Sequence, residues 1–286
     1  MTINEYLENV FCDFKKLVEH SQDICSLKGL TFERGIIPDY TDEKVQLLYI
    51  LRYTFAYAYE YREMYKEILN QFDNTESLNV TSFGCGPMTD YWSLNEACKT
   101  SSRRFSYTGV DIIDWSHKFK QCPPNGYGFI NKDVVKYLED NNTISSNVLF
   151  FPKSIGEFSD DDFSLICDNL STAIFLQDKI AIGVSLRNES YHNKIDTDRI
   201  NRLVASICKN DFKITKNDPT SYSDSTAIIS CDGSFKYPDD SKYYIANLQD
   251  KCKNHEICEN NCSSRLNRQP MLYITNINYK IILLER

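Results

Sequence analysis

From Leu78 onward the chain alternates between short apolar runs and stretches of helical period, and this alternation constrains the fold more than any other feature. A strand buried on both faces reads as a continuous apolar run, and the helix that carries the chain back reads with a 3.6-residue period. The runs predict strands at 78–83, 105–111, 128–131, 147–151 and 179–186. Helical patterns fall at 89–100, 134–140, 160–170 and 196–209. Strands alternating with helices predict an α/β fold, a doubly wound and mostly parallel sheet. Further short runs at 212–215, 226–231, 272–274 and 279–284 read as additional strands.

Before Leu78 the pattern is helical only. Tyr6, Val10, Phe11, Phe14 and Leu17 share one helical face. Pro38 and Asp39, then Thr41-Asp42-Glu43, read as a stop and a new N-cap. From there Val45, Leu48, Leu51, Phe55, Tyr59, Met64 and Ile68 predict one long, tyrosine-rich helix to about Phe72. The expected organisation is an N-terminal helical segment or lid over 1–75 and a cofactor-binding core over 76–231. A Cys/His-bearing insertion over 232–270 and a final strand region over 271–286 complete it.

Composition narrows the function classes. A formal net charge of −8 argues against broad binding of nucleic acid, which rests on many Lys/Arg–phosphate contacts. No run approaches the roughly 18 apolar residues of a membrane span. The N-terminus carries Glu5 and no basic region ahead of an apolar stretch, so no secretory signal is expected and the expected compartment is the cytoplasm. Eight of the eleven cysteines are scattered, as reduced thiols in such a protein would be.

The stretch 78–90, Leu-Asn-Val-Thr-Ser-Phe-Gly-Cys-Gly-Pro-Met-Thr-Asp, carries most of the chemistry. An apolar strand runs into Gly84-Cys85-Gly86, and a helix opens after it. Glycines let the backbone turn sharply and approach a ligand, and the helix presents unpaired N–H groups. An ordinary strand-to-helix turn would look the same. The second strand ends at Asp111, an acid able to accept both hydroxyls of a ribose, or to serve as a cap or a surface acid. The third ends near Asp133, which caps the next helix on the plainer reading. In a parallel sheet all three tips lie on one edge, beside one crevice. The loop lacks the third glycine of a dinucleotide fingerprint, since position 89 is Thr, and it lacks the G-K-[ST] of a phosphate-cradling loop.

The order Ser-Phe-Gly-Cys-Gly-Pro, Gly-Val-Asp and Asn-Lys-Asp-Val resembles motifs I, II and III of the class I S-adenosylmethionine-dependent methyltransferases. The fourth strand, running into Pro152-Lys153-Ser154, stands where that family has motif IV. The resemblance covers about residues 76–190. It implies S-adenosylmethionine as cofactor, with Gly84 and Gly86 against the methionine part, Asp111 on the ribose and Asp133 near the adenine. Ser82, Cys85, Thr89, Asp90, Ile112, Val134 and Pro152 complete the implied cofactor set. In that family an N-terminal helix commonly lids the crevice, which makes Arg52 and Tyr53 candidates too; the tyrosines otherwise pack the helix on the sheet.

The acceptor is not readable. Ser82 stands where motif I usually has an acid, and the Asp/Asn-Pro-Pro-aromatic signature of base amino methylation is absent. Lys153, Ser154 and Glu157 are nearest to where the resemblance puts an acceptor, and are the candidate catalytic residues. The acceptor class stays open among small molecule, protein and RNA. A non-catalytic nucleoside-binding or partner-binding module on the same fold, and an aminopropyl transferase, are the alternatives.

Cys252, His255, Cys258 and Cys262 place three thiols and an imidazole within eleven residues, a soft donor set that suits structural zinc. On one helix these four would share a face and could not surround a tetrahedral ion. A zinc reading therefore needs loop backbone here or a distant ligand such as Cys231, and reduced cysteines on a packed face explain the same residues.

Overall fold

The computed structural model describes all residues other than 22–23, 31–37, 120–126, 188–189, 223–225, 228–234, 253–265, 267, 272 and 275–276. The chain divides into two compact units. One comprises Met1–Tyr57, Trp115–Gln121 and Ser225–Ile274, the other Ala58–Asp114, Cys122–Asp224 and Thr275–Arg286.

The second unit holds the sheet. Its strands are β1 (Leu78–Phe83), β2 (Phe105–Asp111), β3 (Tyr127–Asn131), β4 (Val148–Phe151), β5 (Lys179–Ser185), β6 (Lys213–Tyr222) and β7 (Ile277–Glu285). They lie in the order β3-β2-β1-β4-β5-β7-β6. The first five pair in parallel, and β7 runs antiparallel to both β5 and β6. The chain is therefore a doubly wound, mostly parallel α/β sheet, as the alternation predicts. Central strands carry no polar face because both sides are covered: all of Val148–Phe151 is buried.

The sheet is flanked by α3 (Thr89–Ser101), α4 (Val134–Asp140), α5 (Asp160–Thr172) and α6 (Ser190–Ile207). The last begins six residues before the predicted start at 196, and Cys208–Asn210 finishes it as a 3-10 turn. The run at 212–215 extends through Asn217-Asp218-Pro219 to Tyr222. Those residues read locally as a break, yet β6 is the edge strand, where a missing N–H is tolerated.

A long helix, α2 (Glu43–Leu69), ends three residues short of Phe72, and Gln71 and Phe72 close turns on the carbonyls of Ile68 and Leu69. Its residues from Ala58 on belong to the sheet unit. There Tyr65 stacks on Phe150 at 4.4 Å between ring centres, and Tyr61 meets the same ring edge-on at 5.7 Å. Gly183 on β5 makes room: a Cβ there would stand 2.8 Å from the Phe150 ring and 3.1 Å from Ile68.

The other unit contains α1 (Ile3–Ser21) and the first part of α2. On α1 the buried face is Tyr6, Leu7, Val10, Phe11, Phe14 and Val18, with Val18 in the place expected for Leu17. Tyr49, Tyr53 and Tyr57 form a ladder along α2, the last two rings stacked at 5.2 Å. A short helix, α7 (Ser241–Ala246), sets Tyr244 edge-on to Phe11 at 5.7 Å. Among the described residues no helix is long and apolar enough to cross a membrane.

Candidate functional site

Because β1 to β5 are parallel, Phe83, Asp111, Asn131, Phe151 and Ser185 all end at one edge of the sheet. The chain leaves β1 towards β2 and β3 on one side, and β4 and β5 lie on the other. Between β1 and β4 is the switch point, where open α/β sheets form a crevice.

The loop after β1 turns on three left-handed residues, Gly84 (φ 66°), Gly86 (φ 56°) and Met88 (φ 65°). Glycine adopts this conformation without a Cβ clash, whereas Met88 holds it at a cost of order 1–3 kcal/mol. Gly84 is constrained twice, because a Cβ there would stand 2.6 Å from Cβ of Ser154. The amides of Gly84 and Cys85 donate to the Val110 carbonyl at 2.8 and 3.2 Å, which ties the loop to β2. Within 82–90 only Gly84 and Gly86 carry appreciable exposed surface, so the loop presents backbone rather than side chains.

Asp111 organises the next tip. Its Oδ2 accepts the Gly86 N–H at 2.8 Å and its Oδ1 accepts the Ile113 N–H at 2.8 Å. The acid thereby joins the β1 and β2 tips. Ile112 beside it is 64% exposed, an apolar side chain left at the rim. Asp133 accepts from the amides of Val135 (2.9 Å) and Lys136 (3.2 Å), both through Oδ1, as a helix cap does. Val134 is buried beneath it. The Asn131 amide donates to the carbonyls of Asp111 and Ile112, which locks the β2 and β3 tips together. Glycines, Asp111 and Asp133 are thus neighbours on one edge.

Other expected cofactor residues face inward. Asp90 is wholly buried, and Tyr107 donates its hydroxyl to both carboxylate oxygens at 2.9 and 3.0 Å. Burial raises the Asp90 carboxyl to about 6, against the pull of the Ser82 and Tyr107 hydroxyls and the helix amides towards the charged form. Ser82 and Thr89 are buried alongside, so these three side chains sit within the protein rather than at its surface. Cys85 is buried against Gly109, where a Cβ would lie 2.7 Å from its sulfur. Burial, and then the charges of Asp111 and Asp90, push its thiol well up, which excludes a thiolate nucleophile there.

At the β4 tip, Pro152 is half-buried. Lys153, itself left-handed at φ 61°, donates to Glu60 Oε1 and Oε2 at 2.8 and 3.1 Å and to the Leu186 carbonyl at 2.7 Å. Glu60 is 3% exposed and also accepts the Ser185 hydroxyl. Ser154 donates to the Phe83 carbonyl at 2.5 Å. Lys153 and Ser154 therefore brace α2, β1, β4 and β5, and their polar atoms are engaged. Glu157 is exposed, yet its carboxyl is drawn up to about 7 by withdrawal from bulk water. A group can be both when it lines the wall of a crevice. Arg187 opposes that rise, while Asp111 and Asp196 add to it.

Four residues of this edge carry no local signature. Glu60 reads as one polar position in a helix, and Tyr107 as a strand aromatic. Arg187 follows β5 and pairs with Asp196 of α6, Nη2 to Oδ1 at 2.6 Å and Nε to the two oxygens at 3.1 and 3.2 Å. Asp196 is 1% exposed. Only the short apolar run followed by Arg187 could have pointed to it.

Arg52 and Tyr53 belong to the other unit. There Arg52 donates to the Gln269 carbonyl at 2.9 Å and lies over the Tyr53 ring at 5.2 Å. Of the expected metal ligands, His255, Cys258 and Cys262 lie outside the described residues, and Cys252 is buried. Among the described residues no group of three or more His, Cys, Asp or Glu could hold a metal.

No family model matches the chain, and no curated protein does. Solved structures with a similar course of chain include the plantazolicin methyltransferase BpumL with SAH, at 15% identity and TM-score 0.45, covering 97% of this chain and 99% of that one. A SAM-dependent methyltransferase from Archaeoglobus fulgidus aligns at 13% identity and TM-score 0.40, covering 79% and 94%. The cyclopropane synthase MmaA2 from Mycobacterium tuberculosis aligns at 9% and 0.40, covering 77% and 82%. Likenesses this distant carry no argument about activity, which must rest on the site.

Proposed function

We propose that this chain is a methyltransferase of the class I type that uses S-adenosylmethionine. The observation that carries the reading is the join between the β1 and β2 tips. Two left-handed glycines present backbone at the switch point, and Asp111 accepts the Gly86 N–H at 2.8 Å beside them. Backbone without side chains suits close approach of the methionine part, and a carboxylate at the second tip suits a ribose diol. Asp133, which caps through Oδ1 alone, is next in line for the adenine amino group. When bound, S-adenosylmethionine supplies an electrophilic methyl group on a sulfonium; the protein's share is alignment and exclusion of water.

Calorimetry with S-adenosylmethionine tests the reading. Wild type should bind, and Asp111→Ala should lose binding while its circular dichroism is unchanged. Equal affinity of the two proteins would sink the site assignment. The engagement of Lys153 and Ser154 in bracing bonds supports a second reading, a nucleoside-binding module without turnover. Mass analysis of the used cofactor after incubation with candidate acceptor pools separates the possibilities. S-adenosylhomocysteine marks methyl transfer, methylthioadenosine marks aminopropyl transfer, and unchanged cofactor marks the module.

A further inference from the structure

We propose that Glu157 takes a proton from the methyl acceptor, and that the acceptor is an amine arriving as its ammonium cation, with the Arg187–Asp196 pair positioning the Glu157 turn. This rests on the methyltransferase reading and specifies its substrate class.

Glu157 lies in the turn beyond β4, on the far side of the switch point from Asp111, and its N–H donates to the Ser154 carbonyl at 2.8 Å. Of the charged groups at this tip, Lys153 is neutralised by Glu60 and Arg187 by Asp196. Arg199 donates to the Ile155 carbonyl at 2.9 Å and to Asp160 at 2.8 Å. Asp111 accepts from two backbone amides. Among the described residues the Glu157 carboxylate accepts no hydrogen bond and closes no ion pair. It is also exposed, so it is the acid an incoming group meets.

The turn carrying it is pinned. A Cβ on Gly156 would run into the Arg187 guanidinium and the Asp196 carboxylate, so the chain at Gly156 rests directly on that pair. Asp196 holds Arg187 through both side-chain and backbone bonds, the Arg187 N–H reaching Oδ2 at 3.0 Å. The fixed guanidinium opposes the rise that withdrawal from water gives the Glu157 carboxyl, while Asp111 and Asp196 add to it.

Charge then selects the substrate. With Arg187 and Lys153 already neutralised, the carboxylate of Glu157 is, among the described residues of this tip, the charge that no ion pair offsets, and it is negative. An ammonium is drawn to such a tip and an anionic acceptor is repelled. An ammonium has no lone pair to receive a methyl group, so it must first lose a proton. One N–H bond breaks, its electron pair stays on nitrogen as the lone pair, and the proton forms an O–H bond on the Glu157 carboxylate. Methylation by the sulfonium donor then consumes that lone pair, the C–S electrons remain on sulfur, and Glu157 returns its proton to water. A carboxylate titrating near neutrality is matched to this task.

The test uses the full chain saturated with S-adenosylhomocysteine and benzylammonium as the amine probe, a cation across the range used. Calorimetric affinity for benzylammonium should rise about tenfold between pH 6 and pH 8 as Glu157 ionises around 7. Glu157→Gln should fold normally, bind S-adenosylhomocysteine as wild type does, and show no such rise. Arg187→Gln should move the midpoint of the rise upward, and Arg187→Lys should bring it back. A flat profile in wild type, or a rise that persists in Glu157→Gln, overturns the inference. Failure of wild type to bind S-adenosylhomocysteine overturns the methyltransferase reading itself, and this inference with it.

Discussion

The two halves of the sheet's carboxyl edge are built differently. On the β1–β3 side the chain offers backbone at Gly84 and Gly86, with Asp111 and Asp133 each anchored by local amides. On the β4–β5 side the long side chains hold one another: Lys153 to Glu60, Arg187 to Asp196, Ser154 to the Phe83 carbonyl. On the proposed reading the first half is the surface that receives the ligand. The second is a brace, and the Glu157 carboxylate closes no bond in it among the described residues. A residue type near a strand tip does not by itself tell which of these it serves.

The brace is the place to break first. Glu60 is nearly inaccessible, and removing it takes away the carboxylate that the Lys153 ammonium donates to, in a site where the lysine side chain is 13% exposed. Glu60→Ala should cost about 3–5 kcal/mol in urea denaturation. The double variant Glu60→Ala/Lys153→Ala should cost less than the two single losses added together. A loss below about 1 kcal/mol for Glu60→Ala would mean that the pair is not a brace.

Asp90 sharpens the contrast, because it lies at the ligand half but faces the core. Its carboxyl is raised to about 6 from the ordinary 3.8, so the folded state favours the neutral acid. The contribution to stability is therefore complete below pH 3.8 and is lost as pH rises through 6. The shift corresponds to about 3 kcal/mol between those limits. Asp90→Asn keeps an acceptor for the Tyr107 hydroxyl and cannot ionise. Its stability relative to wild type, from denaturation midpoints, should rise across that window. A constant difference at all pH values would contradict the buried-acid account.

These features were unequally legible in the sequence. The glycine loop, Asp111 and Asp133 could be read because each is local: a strand, a special residue and a helix start lie within a dozen positions. The sheet followed from apolar runs that are buried on both faces. The Glu60–Lys153 contact joins residues 93 apart, and nothing in either segment announces the other. Asp90 looked like a site residue because it follows the loop directly. Its direction was decided by the hydroxyl of Tyr107, 17 residues away on β2. The length of β6 was hidden for another reason. Pro219 signals a break in local terms, and only its place on the sheet edge makes it harmless.

Gly84 tests the ligand half from its backbone. Gly84→Ala must accept φ 66° and a Cβ 2.6 Å from that of Ser154, a strain of order 1–3 kcal/mol. Since the loop presents backbone to the crevice, affinity for S-adenosylmethionine should fall more than tenfold in calorimetry. Wild-type affinity in a destabilised protein would show that the loop is only a turn.

Asp133 gives the smallest effect and the finest separation, because a cap and a ligand contact make different demands on the same carboxylate. The cap uses Oδ1 alone, accepting from Val135 and Lys136. Asparagine retains an acceptor oxygen and ranks beside aspartate as a cap, so Asp133→Asn should keep stability within a few tenths of a kcal/mol. Asp133→Ala removes the cap and should cost about 1 kcal/mol. The adenine amino group is a donor, and the cap leaves Oδ2 to receive it. An asparagine that caps with its oxygen can offer only its own NH2 donor in that place. Asp133→Asn should therefore weaken S-adenosylmethionine binding about as much as Asp133→Ala does, while the two differ in urea midpoint. Should Asn preserve affinity and Ala lose it, binding depends on the cap alone, and the third tip leaves the ligand half for the structural one.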